Sequence, residues 1–455
     1  MLNTKTDLLK GNILKSLLIF AIPLFISNLF QQLYNTADTM IVGHFLGDTS
    51  LAAIGACSAV YELLVGFALG IGNGMSMVVA RSFGAGDERL LKRAVAGSLV
   101  IGAVVTVIVM IISGMFLYPL LELLHTPQEI IEESYSYIFV VVMCVGVMFA
   151  YNLLAGLLRA IGNSVMPLVF LVVSSVVNIG LDILFITKFA MGIRGAAVAT
   201  VIAQGFSALL CLMYILWKAK ILIPRKEHFQ IEGRLYGELA GQGLSMGLMV
   251  AIVSAGTVIL QFAINELGYL IIAGHTAARK LNSFCTMPLM TIALATSTFV
   301  SQNKGANQRE RIIKAVRYSN CISVLWSVLI TVVLIFAAPV LIKFLSGSSE
   351  AVVIENGARY LRINAPFYSV LGILLTMRNS LQGIGKKIVP LISSIIELIG
   401  KIVFVVFFIP HLGYFGVIIC EPIIWCLMCA QLVFTFYTDS YIRGDISWQN
   451  PTIRK

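Results

Sequence analysis

Apolar residues run through this chain in long blocks, not in the period-two alternation of a half-buried strand. A helix crossing a bilayer needs roughly 20 mostly apolar residues. Twelve such blocks fall near 14–46, 51–80, 94–120, 131–158, 165–188, 194–218, 236–265, 270–301, 315–345, 352–380, 388–410 and 414–438. Short segments where charge, glycine or proline collects separate them. The pattern predicts an all-α integral membrane protein of 12 transmembrane helices. The first block is too long for the core of a cleavable signal peptide and is expected to remain as a helix.

The blocks repeat. Leu158–Leu168, LRAIGNSVMPL, matches Leu381–Leu391, LQGIGKKIVPL, at five of eleven positions, 223 residues on. Gly84–Val95, GAGDERLLKRAV, pairs with Gly305–Val316, GANQRERIIKAV, at an offset of 221. Each pair falls at the same ordinal place, after the second and eighth spans and after the fourth and tenth. Six spans per repeat preserve orientation, so the expected layout is two parallel, pseudo-symmetric six-helix bundles. The expected division is 1–218 for the first bundle, 219–235 for a cytoplasmic linker and 236–455 for the second. Paired bundles of this kind are expected to hold a cavity and to expose it to each side in turn.

Composition agrees: 58% of residues are hydrophobic and 12% charged, against about a quarter charged in soluble domains. The net charge of +10 does not point to nucleic acid, because it follows the membrane. Alternate loops carry Arg81, Arg89, Lys92 and Arg93, then Lys218 through Arg234, then Lys304 through Arg317, then Arg378, Lys386 and Lys387. The opposite loops hold few basic residues. The positive-inside rule therefore puts both termini in the cytoplasm. Of the eight cysteines, Cys426 and Cys429 form a CxxC, but on one apolar helix with no companion pair. No metal site or cofactor is expected.

Polar residues inside the blocks carry the functional information, since an ionisable group at bilayer depth costs at least about 2.5 kcal/mol. Gln31, Tyr34, Asn35 and Asp38 form one stripe on the first span. Ser174, Asn178 and Asp182 form another on the fifth, and Thr200 with Gln204 a third on the sixth. Interhelical hydrogen bonding accounts for amides and hydroxyls. It does not require the carboxylates. Carboxylate, amide and hydroxyl oxygens suit a proton or Na⁺, and two carboxylates in one low-dielectric place hold a single proton more readily than two charges. The repeat offset maps Asp38 to Ile259 and Asp182 to Val405, so the second half lacks both carboxylates. It carries Arg279, Lys280, Glu397, Lys401 and Glu421 instead. Their near balance of charge suggests a structural ion-pair network first and contact with substrate or ion second. Glu62 is read either as a counter-charge or as a contact for a cationic substrate. Pro23 removes a backbone hydrogen bond in the first span, where a kink is expected. The glycines at 66, 70 and 74 read as close helix packing.

PLFISNLFQQLYNTADTMIVGHFLG, RAIGNSVMPL followed by NIGLDILFI, and GIRGAAVATVIAQ together resemble the multidrug and toxic compound extrusion (MATE) family, over essentially the whole chain. The resemblance implies a secondary antiporter in the cell membrane, expelling amphipathic, often cationic compounds in exchange for H⁺ or Na⁺. It implies a first-half cation site of Asp38, Tyr34, Asn178, Asp182 and Thr200, bending of the first helix at Pro23, and a protein that works as a monomer. The alternative is a flippase for lipid or lipid-linked oligosaccharide in the same superfamily. An intramembrane enzyme finds no HExxH or DDxxD motif, and ATP-driven pumping no Walker A run.

Overall fold

The computed structural model of the protein describes residues 5–124 and 126–446. Helices account for nearly all of them, and no strand occurs among the described residues. Among the described residues, ten helices are long and apolar enough to cross a membrane: α1 (Ile13–Leu46), α2 (Thr49–Gly84), α3 (Glu88–Leu123), α5 (Val165–Lys188), α6 (Ile193–Lys218), α7 (Gly233–Asn265), α8 (Tyr269–Gly305), α9 (Arg309–Ser346), α11 (Ile388–Leu412) and α12 (Tyr414–Thr438). An eleventh span, α4, is the pair Gln128–Met143 and Val145–Ala160, bent by 48°. The twelfth, α10, joins Ala351–Asn364 to Tyr368–Gly383 through a 3-10 turn at Ala365–Phe367. Glu355, Arg359 and Arg362 make its N-terminal half too polar for a simple apolar span.

Local chemistry sets the ends. Asn12 caps α1 by accepting from the Lys15 amide at 3.0 Å, and Asp87 caps α3 by accepting from Leu90 at 3.0 Å. Left-handed residues terminate the spans, and they recur between the halves. Gly47, Gly86, Gly162 and Gly192 have positive φ, as do Gly268, Asn307, Gly385 and Gly413, 221 to 223 residues later. At the second position asparagine replaces glycine, the substitution a left-handed turn tolerates best. Single π-turns recur likewise at Leu184–Lys188 and Phe404–Phe408. The duplication read from two short matches thus extends to the backbone.

By packing, the chain divides into two compact units: one up to Ala251 together with Ser301–Ala306, and one of Ile252–Val300 and Asn307 onward. The inner part of α7 and the last turn of α8 therefore pack within the first unit. In that unit α1 packs on α5, α2 on α4, and α6 on both α4 and α5. In the second, α12 packs on α10 and α11, α8 meets α10 at Gly274 and Gly383, and α7 meets α11 where Gly256 lies against Lys401 and Leu398. The same pairs of helices meet in both, the pseudo-symmetry expected from the repeat.

Lipid tails are as apolar as leucine, so close backbone approach holds these helices together rather than hydrophobic exclusion. Large apolar side chains face outward on α3 (Val107, Ile111, Phe116) and on its counterpart α9 (Leu325, Val332, Phe336). Small residues face inward. A Cβ on Gly70 would stand 2.9 Å from the Gly247 Cα, and one on Gly74 2.8 Å from the Gly243 Cα, so the α2 glycines let the α7 backbone come close. Beside them an ion pair joins Arg81 to Glu238, and Arg93 holds Glu232 at 3.0 Å. Arg81 and Arg378, read from sequence as loop residues, are instead buried inside α2 and α10. Each has a carboxylate partner there.

Gly74→Val should lower the stability of the detergent-solubilised protein by about 1–3 kcal/mol, through overpacking. Gly55→Ala, where nothing lies within 4 Å of an added Cβ, should leave it unchanged or raise it slightly. Thermal melts of both variants against wild type check this.

Candidate ion site in the first bundle

The three polar stripes converge. Asp182 is fully buried on α5, Asn178 lies one turn before it at 1% exposure, and Asp38 is buried on α1. The two carboxyls are near enough to interact. Tyr34, one turn before Asp38, accepts a hydrogen bond from Gln204 Nε2 of α6 at 3.3 Å. Tyr34, Ser174, Ser175, Asn178, Thr200 and Gln204 line a void of about 10 Å³, close to the smallest that holds one water-sized species. It is the size of an ion, not of a drug.

Several buried polar atoms at this void and on the carboxyl pair are unpaired. Both Asp182 oxygens, Asp38 Oδ1, Asn178 Oδ1 and Gln204 Oε1 are buried with no hydrogen-bond partner among the described residues, as is one donor, Asn178 Nδ2. Buried polar atoms are paired in the great majority of cases, and several acceptors left together are unusual. A proton on the carboxyl pair would supply a donor, and a small hard cation would be matched by an all-oxygen ligand set.

Of the five residues that the resemblance implied, Tyr34, Asn178 and Thr200 line one void, and Asp38 and Asp182 lie near each other. Gln31 and Asn35, on the same stripe, are exposed. Glu62 is exposed on α2 at the start of a π-turn, within electrostatic reach of its neighbour Tyr61. Pro23 lies within α1, which runs as one helix through it, with Ser27 Oγ donating to the Pro23 carbonyl at 2.8 Å. Two residues escaped the sequence reading: Tyr61 of α2 and Tyr137 of α4, both within electrostatic reach of Tyr34 and Tyr137 of Asp38 as well. They come from separate helices with no common spacing, so no periodic signal marked them.

The second unit is built differently. Arg279 Nη1 donates to Glu421 Oε1 at 2.8 Å, and Tyr360 Oη donates to Glu421 Oε2 at 3.0 Å. Lys401 Nζ donates to Glu397 Oε1 at 2.9 Å, and Arg378 Nη2 stands 3.8 Å from Glu397 Oε2. These four charged residues and Arg378 form the ion-pair network expected of them. Lys280 does not join it: its side chain is exposed and meets no partner among the described residues. The positions answering to Asp182, from Ile402 to Val405, are all apolar.

Two repeated six-helix bundles with a carboxylate pair inside only the first define a polytopic membrane protein of the transporter class. The chain belongs to the MatE family, whose model matches residues 23–184 and 246–407, one match in each half. A similar protein is the probable multidrug resistance protein YoeA of Bacillus subtilis, 28% identical over 88% of both chains. Another is the probable multidrug resistance protein NorM of Thermotoga maritima, 24% identical over 84% of this chain and 83% of that one. Among solved structures, MATE in the bent conformation superposes with a TM-score of 0.87 at 23% identity, covering 96% of this chain and 98% of that one. A multidrug resistance MATE family transporter in the outward-facing conformation gives 0.86 at 24% identity, covering 94% and 96%.

Glu397→Gln would leave Lys401 and Arg378, both buried, without their shared counter-charge. The expected loss is about 3–5 kcal/mol of stability. Chemical denaturation of the purified protein measures it, and a loss below 1 kcal/mol would show that the network is solvated rather than structural.

Proposed function

We propose that this protein is a secondary antiporter that exports amphipathic, often cationic small molecules from the cell in exchange for H⁺ or Na⁺. The observation that carries the coupling is the group of unpartnered acceptors around Asp38 and Asp182. Export of drugs is supported by the relatives, described as probable multidrug resistance proteins. The basic loops support an orientation with both termini in the cytoplasm.

The chemistry follows from charge. With both carboxylates ionised, the first bundle holds two like charges in one buried place with no cation beside them among the described residues. A proton or Na⁺ relieves that repulsion and draws α1, α5 and α6 together around the ion. Such binding shifts the protein between its inward-open and outward-open states only in so far as one state binds the ion better. Moving the balance from 1:99 to 99:1 takes a preference of about 10⁴, within reach of two carboxylates whose separation changes. Drug and ion need not touch; they act in opposition if each prefers a different state. The void near the carboxylates admits the ion and excludes the drug.

Proteoliposomes given separate pH and Na⁺ gradients should accumulate ethidium with one gradient or both. Asp38→Asn and Asp182→Asn, each reconstituted at wild-type amounts, should lose gradient-driven uptake at least tenfold. Full activity in either variant would sink the assignment of the ion site. A wild type that moves no dye under either gradient would favour a lipid flippase.

A further inference from the structure

Pro339 inside α9 has no amide to donate to the carbonyl of Ile335, four residues earlier, so that carbonyl loses its helical partner. The Nε of Arg362 on α10 donates to it instead, at 2.9 Å. The contact holds the guanidinium against α9 and leaves both of its Nη groups without a partner among the described residues. Arg359, one turn earlier on α10, lies over the Phe415 ring of α12, 5.1 Å from its centroid. That cation–π contact orients the charge without neutralising it. Neither arginine makes an ion pair among the described residues.

The two guanidiniums share a groove of about 450 Å³ with Pro339, Ile354, Ile363 and Glu355. Lys343, one turn beyond Pro339, is a third exposed cation on α9. Against these charges stands the single carboxylate of Glu355. On either side of Pro339, α9 turns Phe336, Val340 and Phe344 outward, a continuation of its lipid-facing surface. The arginines are not needed to close a six-helix bundle. The matching stretch of the first half, 136–141, lies 221 to 223 residues earlier and has no charged residue.

Two oriented cations without counter-charges, set beside an apolar helix face, match a molecule with an anionic head and acyl chains. Basic pockets between transmembrane helices take phospholipid headgroups, and guanidinium groups hold phosphate oxygens through directed, paired hydrogen bonds. We propose that this groove between α9 and α10 binds an anionic phospholipid. Its phosphate sits on Arg359 and Arg362, and its acyl chains lie along Phe336, Val340 and Phe344. Glu355, one turn before Arg359, is an acceptor for the hydroxyls of a glycerol headgroup, so phosphatidylglycerol is the occupant that uses every polar group of the groove. The lipid is a resident of the second unit, and its binding stands apart from whatever the protein exports.

Native mass spectrometry of the detergent-purified protein, titrated with dioleoyl phosphatidylglycerol and separately with dioleoyl phosphatidylcholine, gives the dissociation constant of the first lipid bound. The wild type should hold phosphatidylglycerol about tenfold more tightly, in keeping with the attraction of two basic residues. Arg359→Gln should bring the two constants to within about twofold of each other. Arg362→Gln should do the same but also uncaps the Ile335 carbonyl, so Arg359→Gln, which touches no backbone contact, is the variant that decides. Lys5→Gln combined with Lys15→Gln, in a separate basic groove at the start of α1, should leave the preference unchanged. No preference in the wild type, a preference that survives Arg359→Gln, or one lost equally with the two lysines overturns the proposal. Displacement of the bound lipid by equimolar inorganic phosphate would show a general anion site and overturn it too.

Discussion

A polar group within a bilayer has no water to fall back on, and the rest of this structure depends on that fact. The backbone answers it by being helical nearly throughout, since only a helix satisfies its own amides in lipid. Side chains must answer it one by one. Glu421 and Glu397 do so with fixed cations and hydroxyls. Asp38 and Asp182 have no fixed cation among the described residues, and the ion proposed for them would fill that place.

The asymmetry between the halves follows the same logic. The duplication preserved turns, glycines and helix contacts, because each is needed to close a six-helix bundle. It did not preserve the charges. Positions 402 to 405 are apolar where the first half has Asp182, and the second bundle uses arginine and lysine to neutralise its carboxylates. Under the proposed function, one bundle changes its protonation or cation occupancy while the other keeps its geometry. In the proposed mechanism, that division of labour lets an ion bound on one side of the molecule be felt by a substrate that it never touches.

Much of this was legible along the chain. The spans were visible because roughly 20 apolar residues leave a mark no soluble helix makes, and the candidate site because Tyr34 with Asp38, and Asn178 with Asp182, are each one helical turn apart. Partnerships across long separations were not legible. Glu421 meets a residue 142 positions earlier, and nothing local tells which arginine that is. The clearest case is Arg279 beside Lys280. The sequence offers them as equals, yet one helical step of 100° turns the first toward Glu421 and leaves the second exposed. Tyr61 and Tyr137 were missed because proximity between different helices has no period. Arg81 and Arg378 were taken for loop residues because a helix end and a loop look alike when both are basic.

The left-handed turns also fix a length. Thirty-nine residues separate Gly47 from Gly86, and thirty-nine separate Gly268 from Asn307; the stretch from Gly47 to Gly192 is likewise as long as that from Gly268 to Gly413. Two halves cut to one measure present hydrophobic belts of equal height. A bilayer thicker or thinner than that height cannot be met by one half alone without a mismatch against the other, and short turns leave little slack to absorb it. Each bundle must then tilt, or the surrounding lipid must stretch or thin. The thickness of the membrane thereby enters the balance of states as a load that both halves carry together.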